Sequence, residues 1–171
     1  KDPTMLARLL PQSLIKRSNE IELTKYLKNG SILALKGADR PDLLRGPNPW
    51  GVILDEYDTM KPEVWTDIIQ PVLRANGGWC MFLGTPKGKR HLYHAFLRGQ
   101  KEDRDWKSWI LPASKSGVIQ KSELENAKLD MPDHAFRQEF ECEFLEGEGT
   151  IFRGVRNVLD ATQRPPLSDH F

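Results

Sequence analysis

A chain of 171 residues with 39% hydrophobic and 29% charged side chains has enough apolar material for one domain with a core, or for a domain and a tail. Lys plus Arg number 25 against 24 for Asp plus Glu, so net charge argues neither for nor against nucleic acid, and any such contact must come from a local patch. Cys80 and Cys142 lack CxxC or Cys/His spacing, which excludes a recognisable zinc site or disulfide framework and fits a reducing compartment.

No apolar run approaches the roughly 18 residues of a membrane span. The chain opens Lys1-Asp2-Pro3, without a methionine or a signal-peptide pattern, as a fragment would. Residues 4–10 read as the tail of a helix stopped by Pro11. Glu20-Ile21-Glu22-Leu23-Thr24 alternates like a half-exposed strand, and Ile32-Leu33-Ala34-Leu35 supplies a second. Asn29-Gly30 between them predicts a hairpin, because both residues tolerate positive φ. Three prolines and two glycines in 37–49 forbid a regular helix or central strand. That loop would overhang the edge reached by the strand it feeds. It carries Arg45, which on its own reads as a surface arginine making loop hydrogen bonds.

The informative stretch is Trp50-Gly51-Val52-Ile53-Leu54-Asp55-Glu56. Its aliphatic run suits a strand buried on both faces of a parallel sheet. Two acids at its end stand at the sheet's carboxyl edge, where open α/β folds bind ligands. In a nucleotide-driven machine the first acid holds Mg²⁺, directly or through water, and the second polarises the attacking water. The alternative is a strand that ends in two solvated acids.

Val64, Trp65, Ile68, Ile69, Val72 and Leu73 then repeat at helical spacing as a core-facing stripe. Pro71 is expected to kink this helix, and Asn76-Gly77-Gly78 to end it with a left-handed cap. Trp79-Cys80-Met81-Phe82-Leu83 is a second continuous apolar strand, running into Gly84-Thr85-Pro86-Lys87-Gly88. Strand, helix, strand is a βαβ unit, and a right-handed crossover puts Thr85 on the same sheet edge as Asp55 and Glu56. The Thr85 hydroxyl then either senses a terminal phosphate or caps the next helix. Leu92, Tyr93, Phe96 and Leu97 form that helix's apolar face, with Gly99 as its end. Lys87, Lys89, Arg90 and His91 at its start are either a phosphate or DNA contact or a solvated face.

Trp106–Leu111 is expected to be a third strand, with Trp106 and Trp109 in the core. Residues 112–117 read as a loop. Ser122-Glu123-Leu124-Glu125 is a capping-box pattern, and a further helix starts near His134. Glu139-Phe140-Glu141-Cys142-Glu143-Phe144 alternates as an edge strand or a helix-to-strand transition would, with its glutamates on the wet face, which explains them without a metal. From Gly147 onward the composition is that of a linker.

In this order, the Asn-Gly-Ser hairpin, Leu44-Arg45-Gly46, the strand ending in Asp55-Glu56, the Trp65 helix with Pro71 and Leu73, the Gly84-Thr85-Pro86-Lys87-Gly88 turn and Phe136-Arg137-Gln138-Glu139-Phe140 with Phe144 resemble the large terminase subunit of tailed bacteriophages. The resemblance covers roughly residues 20–152. It implies an α/β, P-loop-NTPase-like fold, a mostly parallel sheet with flanking helices. It also implies an ATP-driven DNA-packaging motor that uses ATP and Mg²⁺. Asp55 then matches the Walker B aspartate on Mg²⁺, through water, and Glu56 the catalytic glutamate. Gly84, Thr85 and Pro86 match the motif that couples the γ-phosphate to movement. Arg45 matches the place where some terminases carry an arginine finger for a neighbouring subunit.

Implied partners are double-stranded DNA, the portal protein and the small terminase subunit, in a homo-oligomeric ring on the procapsid in the host bacterial cytoplasm. No GxxxxGK[ST] phosphate loop occurs in the 171 residues, and no metal-binding aspartates of the family's nuclease follow. The expectation is therefore that 1–146 is the carboxyl-terminal part of the ATPase domain and 147–171 a linker toward the nuclease, inactive alone. A helicase-like ATPase shares the acid pair but would want a Ser-Ala-Thr turn and a second lobe. A non-enzymatic α/β interaction module would leave the acids merely solvated.

Overall fold

The computed structural model of the chain describes residues 10–101 and 104–145. They form two compact units. One takes the chain through Ile53 together with Met60–Met81, and the other takes Leu54–Thr59 and the chain from Phe82 on. The expected helix over 4–10 and the linker from 147 lie outside the described residues, except Leu10.

In the first unit, β1 (Ile15–Asn19), β2 (Thr24–Leu27) and β3 (Ile32–Ala34) make an antiparallel sheet in that order. The Asn29-Gly30 hairpin forms as the dipeptide predicts. Gly30 has φ +89°, the Asn29 side chain accepts the Ser31 N–H at 3.0 Å, and Thr24 pairs with Ala34. The first hairpin strand begins at Thr24, however, not at Glu20. Residues 20–23 turn between β1 and β2, because the Asn19 side chain accepts the N–H groups of Ile21 and Glu22 at 3.1 Å each. A side chain that offers the backbone such bonds competes with a strand ladder. Ile21 is left 96% exposed. Residues 37–49 are a loop, as expected, with one 3₁₀ turn over Pro41–Leu44.

β4 (Gly51–Leu54) and β5 (Trp79–Phe82) pair with each other. The Trp79 N–H donates to Trp50 O at 3.0 Å and the Leu83 N–H to Leu54 O at 2.9 Å, so both strands advance in the same direction and the pairing is parallel. The expectation of burial on both faces is not met. Leu54 is buried, but Ile53 is 57% exposed, since a two-stranded sheet covers little of either face.

Between the strands, Val64–Ile69 winds as a π-helix and passes into α1 (Gln70–Asn76). The expected disturbance at Pro71 takes this form. The Gln70 N–H donates five residues back, to Trp65 O, and Pro71, with no N–H, sits in the first turn of α1. Val64, Ile68, Ile69 and Leu73 are buried as the stripe predicts, while Trp65 is only half-buried. Gly77 has φ +65° and the Gly78 N–H closes on Leu73 O at 2.9 Å, a left-handed helix end.

In the second unit, a 3₁₀ turn over Tyr57–Thr59 precedes α2 (His91–Gln100), α3 (Ala113–Ser116), α4 (Lys121–Asp130) and α5 (Asp133–Glu139). Leu54, Tyr57, Leu92, Leu124 and Phe136 are its buried apolar residues. Gly99 lies within α2 and does not end it. A Cβ there would stand 2.6 Å from Ser108 Oγ, so the glycine admits a crossing segment.

Trp106–Leu111 is not a strand: it takes no part in either sheet of the described residues. Trp106 stacks on Phe82 at 5.5 Å with the Arg98 guanidinium 4.3 Å from its ring centre, but Trp109 is 80% exposed, not core. Residues 112–117 hold the short helix α3 rather than a plain loop. Helix α4 begins on Gln120 without a side-chain cap, so the Ser122 capping box is not formed. Glu139 closes α5 and no strand follows among the described residues. The three glutamates take separate partners: Glu139 the Lys87 ammonium at 2.5 Å, Glu141 the Ser114 hydroxyl at 2.6 Å, and Glu143 the Arg137 guanidinium at 2.5 Å. They form no metal cluster among the described residues.

Candidate active site

The end of β4 turns sharply. Leu54 is buried, and the next two residues, Asp55 and Glu56, are both exposed. Glu56 has φ +53°, a left-handed conformation that non-glycine residues seldom adopt and that concentrates at functional sites. Asp55 Oδ1 accepts the Glu56 N–H at 3.1 Å. The Glu56 carbonyl accepts the Thr59 N–H at 2.9 Å and the Thr59 hydroxyl at 2.7 Å. The peptide that follows the acids is therefore tied down while both carboxylates reach solvent.

The end of β5 meets this turn directly. The Tyr57 N–H donates to Leu83 O at 2.9 Å. Gly84 has φ +155°, and a Cβ on it would lie 3.3 Å from Tyr57 N and 3.5 Å from Glu56 Cα. Half-buried Thr85 and buried Pro86 follow. Asp55, Glu56, Gly84, Thr85 and Pro86 are thus brought together at the carboxyl ends of two adjacent parallel strands. Thr85 does not cap α2, whose N-cap is Arg90. Arg45 belongs to the first unit, where it is exposed and its Nε lies 3.3 Å from Asp42 Oδ1.

Asp58, which the sequence does not single out, and His91, which it offers only as part of a basic cluster for phosphate, DNA or solvent, complete the arrangement. The Asp58 side chain is 1% exposed. Its Oδ2 accepts the Lys87 N–H at 3.0 Å and its Oδ1 the Leu92 N–H at 2.9 Å. His91 Nε2 lies 2.6 Å from the Tyr57 carbonyl. A carbonyl only accepts, so this nitrogen carries the proton, and Nδ1 stands 3.8 Å from Asp58 Oδ1. The Tyr57 ring packs 4.6 Å from both Phe82 and His91. An aspartate three positions after another, and a histidine in a basic run, look from the sequence like surface groups.

The acid pair fits Mg²⁺. Two exposed carboxylates offer hard oxygen donors, and among the described residues no Lys or Arg neutralises either. The perturbed groups lie elsewhere. Burial pushes the Cys80 thiol up to about 12. Burial, then Glu141 and Glu139, raise Cys142, so neither cysteine is a thiolate nucleophile at neutral pH. A hydrogen bond from Arg137 lowers Glu143.

Parallel strands, one ending in paired acids and the other in a glycine turn, place the fold in the α/β class with a carboxyl-edge site, and solved structures give the fold family. The chain superposes on the large terminase ATPase domain of Thermus phage P74-26 with a TM-score of 0.63 at 28% identity, over 82% of this chain and 67% of that one. An arginine-to-alanine form of the same domain gives 0.66 at 25% identity, over 83% and 68%. A large terminase from another thermophilic bacteriophage, 17% identical over 83% of this chain and 36% of that one, shares the fold with a TM-score of 0.61. The fold is that of terminase ATPase domains.

Residues 6–156 match the family described as terminase large subunit, T4likevirus-type, N-terminal, and the chain belongs to that family. The large terminase subunits of Thermus phage G20c and Thermus virus P23-45 are each 31% identical over 138 residues, 72% of this chain. The chain spans 28% of the length of these relatives. No helix among the described residues is long and apolar enough to cross a membrane.

The positive φ of Gly84 and its approach to Glu56 set a measurable limit. Gly84→Ala is expected to lower unfolding stability by about 1–3 kcal/mol, read by urea denaturation. Wild-type stability in that variant would mean the turn relaxes without strain.

Proposed function

We propose that this chain is the motor portion of a large terminase subunit that hydrolyses ATP to package double-stranded DNA. Glu56 orients the attacking water and Asp55 holds Mg²⁺ through water. Mg²⁺, when bound there, would offset the negative charge that develops on the transferring phosphate. Gly84-Thr85-Pro86 registers the state of the terminal phosphate and passes it on as movement, with the Thr85 hydroxyl facing that phosphate. Arg45, on its proline-rich loop, serves as an arginine finger for the ATP of a neighbouring subunit, because phosphoryl transfer gains from a cation placed on the developing charge.

The observation that carries the reading is the contact between Gly84 and the Glu56 backbone. It joins the acids and the threonine turn at one rim of a parallel strand pair, the edge where open α/β sheets bind ligands. The partners on this reading are the portal protein, the small terminase subunit and copies of the same subunit in a ring on the procapsid, in the host cytoplasm. The endonuclease of the intact protein lies in a further domain.

The sequence has no phosphate loop, so the chain by itself should neither hydrolyse ATP nor bind it tightly. Calorimetry with Mg·ATP is expected to give no binding tighter than millimolar, and micromolar affinity would overturn that. In the intact large subunit, Glu56→Gln is expected to cut turnover by about 10²–10⁴-fold with nucleotide binding retained. Surviving turnover would remove Glu56 from its role. Mixing Arg45→Ala subunits into wild-type assemblies is expected to lower ATPase activity more steeply than dilution alone, and a strictly proportional fall would argue against action across subunits.

A further inference from the structure

The geometry points to Asp58 and His91 as positioning residues that clamp the Gly84-Thr85-Pro86 turn to the Glu56 turn, so that the two move as one body during turnover. This rests on the proposed function and adds the device by which its two halves are held in register.

Beside the Tyr57 N–H to Leu83 O bond of the strand ends, Asp58 and His91 make three further ties between the Glu56 turn and the stretch that runs from the Gly84 turn into α2. One Asp58 oxygen takes the amide of Lys87, directly after Pro86, and the other takes the amide of Leu92, in the first turn of α2. His91 returns the connection by donating to Tyr57 O, the carbonyl of the residue next to Glu56. Asp58 shows almost no surface to solvent, and a carboxylate held there needs its hydrogen bonds, since each lost partner leaves charge without compensation. Its neighbours cannot drift independently. A shift of the β5 turn pulls on Asp58, and Asp58 is two residues from Glu56. Neither residue reaches the reacting atoms on this geometry. They act through the Glu56 backbone, whose left-handed φ needs its surroundings to hold it.

The isosteric Asp58→Asn variant separates this from plain packing. An amide has one acceptor oxygen, so its NH₂ must oppose either the Lys87 or the Leu92 N–H, and one tie breaks. In the intact large subunit, Asp58→Asn is expected to lower kcat at least about tenfold, since a misplacement near 1 Å can cost up to 10²-fold, with KM for ATP within about twofold. His91→Phe keeps a ring against Tyr57 but loses the donor, and is expected to fall similarly. His91→Gln places an N–H at the same reach and is expected to restore kcat to near wild type.

Wild-type kcat in Asp58→Asn, or equal loss in His91→Gln and His91→Phe, overturns the clamp. Should Asp58→Asn fail to fold, the two His91 variants decide alone. These outcomes are independent of Glu56→Gln. If that variant is inactive and the clamp variants are normal, the clamp fails and the hydrolytic role of Glu56 stands.

Discussion

A carboxylate shut away from water organises the candidate site. Asp58 commits both oxygens to backbone amides from a distant part of the chain. Charge-assisted bonds of this kind are shorter and stronger than neutral ones. They convert two strand ends, which pairing alone would leave to fray, into one fixed rim. The exposed acids project from that rim, and of the two only Asp55 bonds the backbone there, through the Glu56 N–H. The arrangement separates a buried aspartate that ties the backbone from two neighbouring carboxylates that stand in solvent.

The same division of roles shows in the backbone of Glu56. A left-handed glutamate is disfavoured by about 1–3 kcal/mol, and two hydrogen bonds from Thr59 to its carbonyl oppose the release of that strain. Gly84 answers just beyond β5, where φ of +155° disfavours a side chain and a Cβ would press to 3.3 Å from Tyr57 N. Strain and close approach together hold the two turns in a set geometry.

Much of this was legible because some signals are local. Asn29-Gly30 encodes its own turn, Gly77 its own cap, and the unbroken apolar runs at 51–54 and 79–82 their strand character. What failed depended on partners that periodicity does not name. Glu20–Leu23 alternates like a strand, but Asn19 captures its amides. Trp106–Leu111 and Glu139–Phe144 have strand-like patterns, yet none of the described strands pairs with them. Asp58 goes unread, and His91 is read only as part of a basic cluster, for a related reason. Their importance comes from amides and carbonyls more than 25 residues away, and backbone groups carry no letter in the sequence.

The wide coil over Val64–Ile69 has a further implication. Helices of this kind hold about one residue more per turn than the tighter form that follows, so the segment stores slack. A deletion of one residue there can be taken up by reverting to ordinary α geometry ahead of Pro71, with Leu73 and the glycine stop left in phase. The same deletion inside α1 would rotate Leu73 away from its packed position. Length variation in related chains should therefore collect in this stretch and spare the turn of helix beyond it.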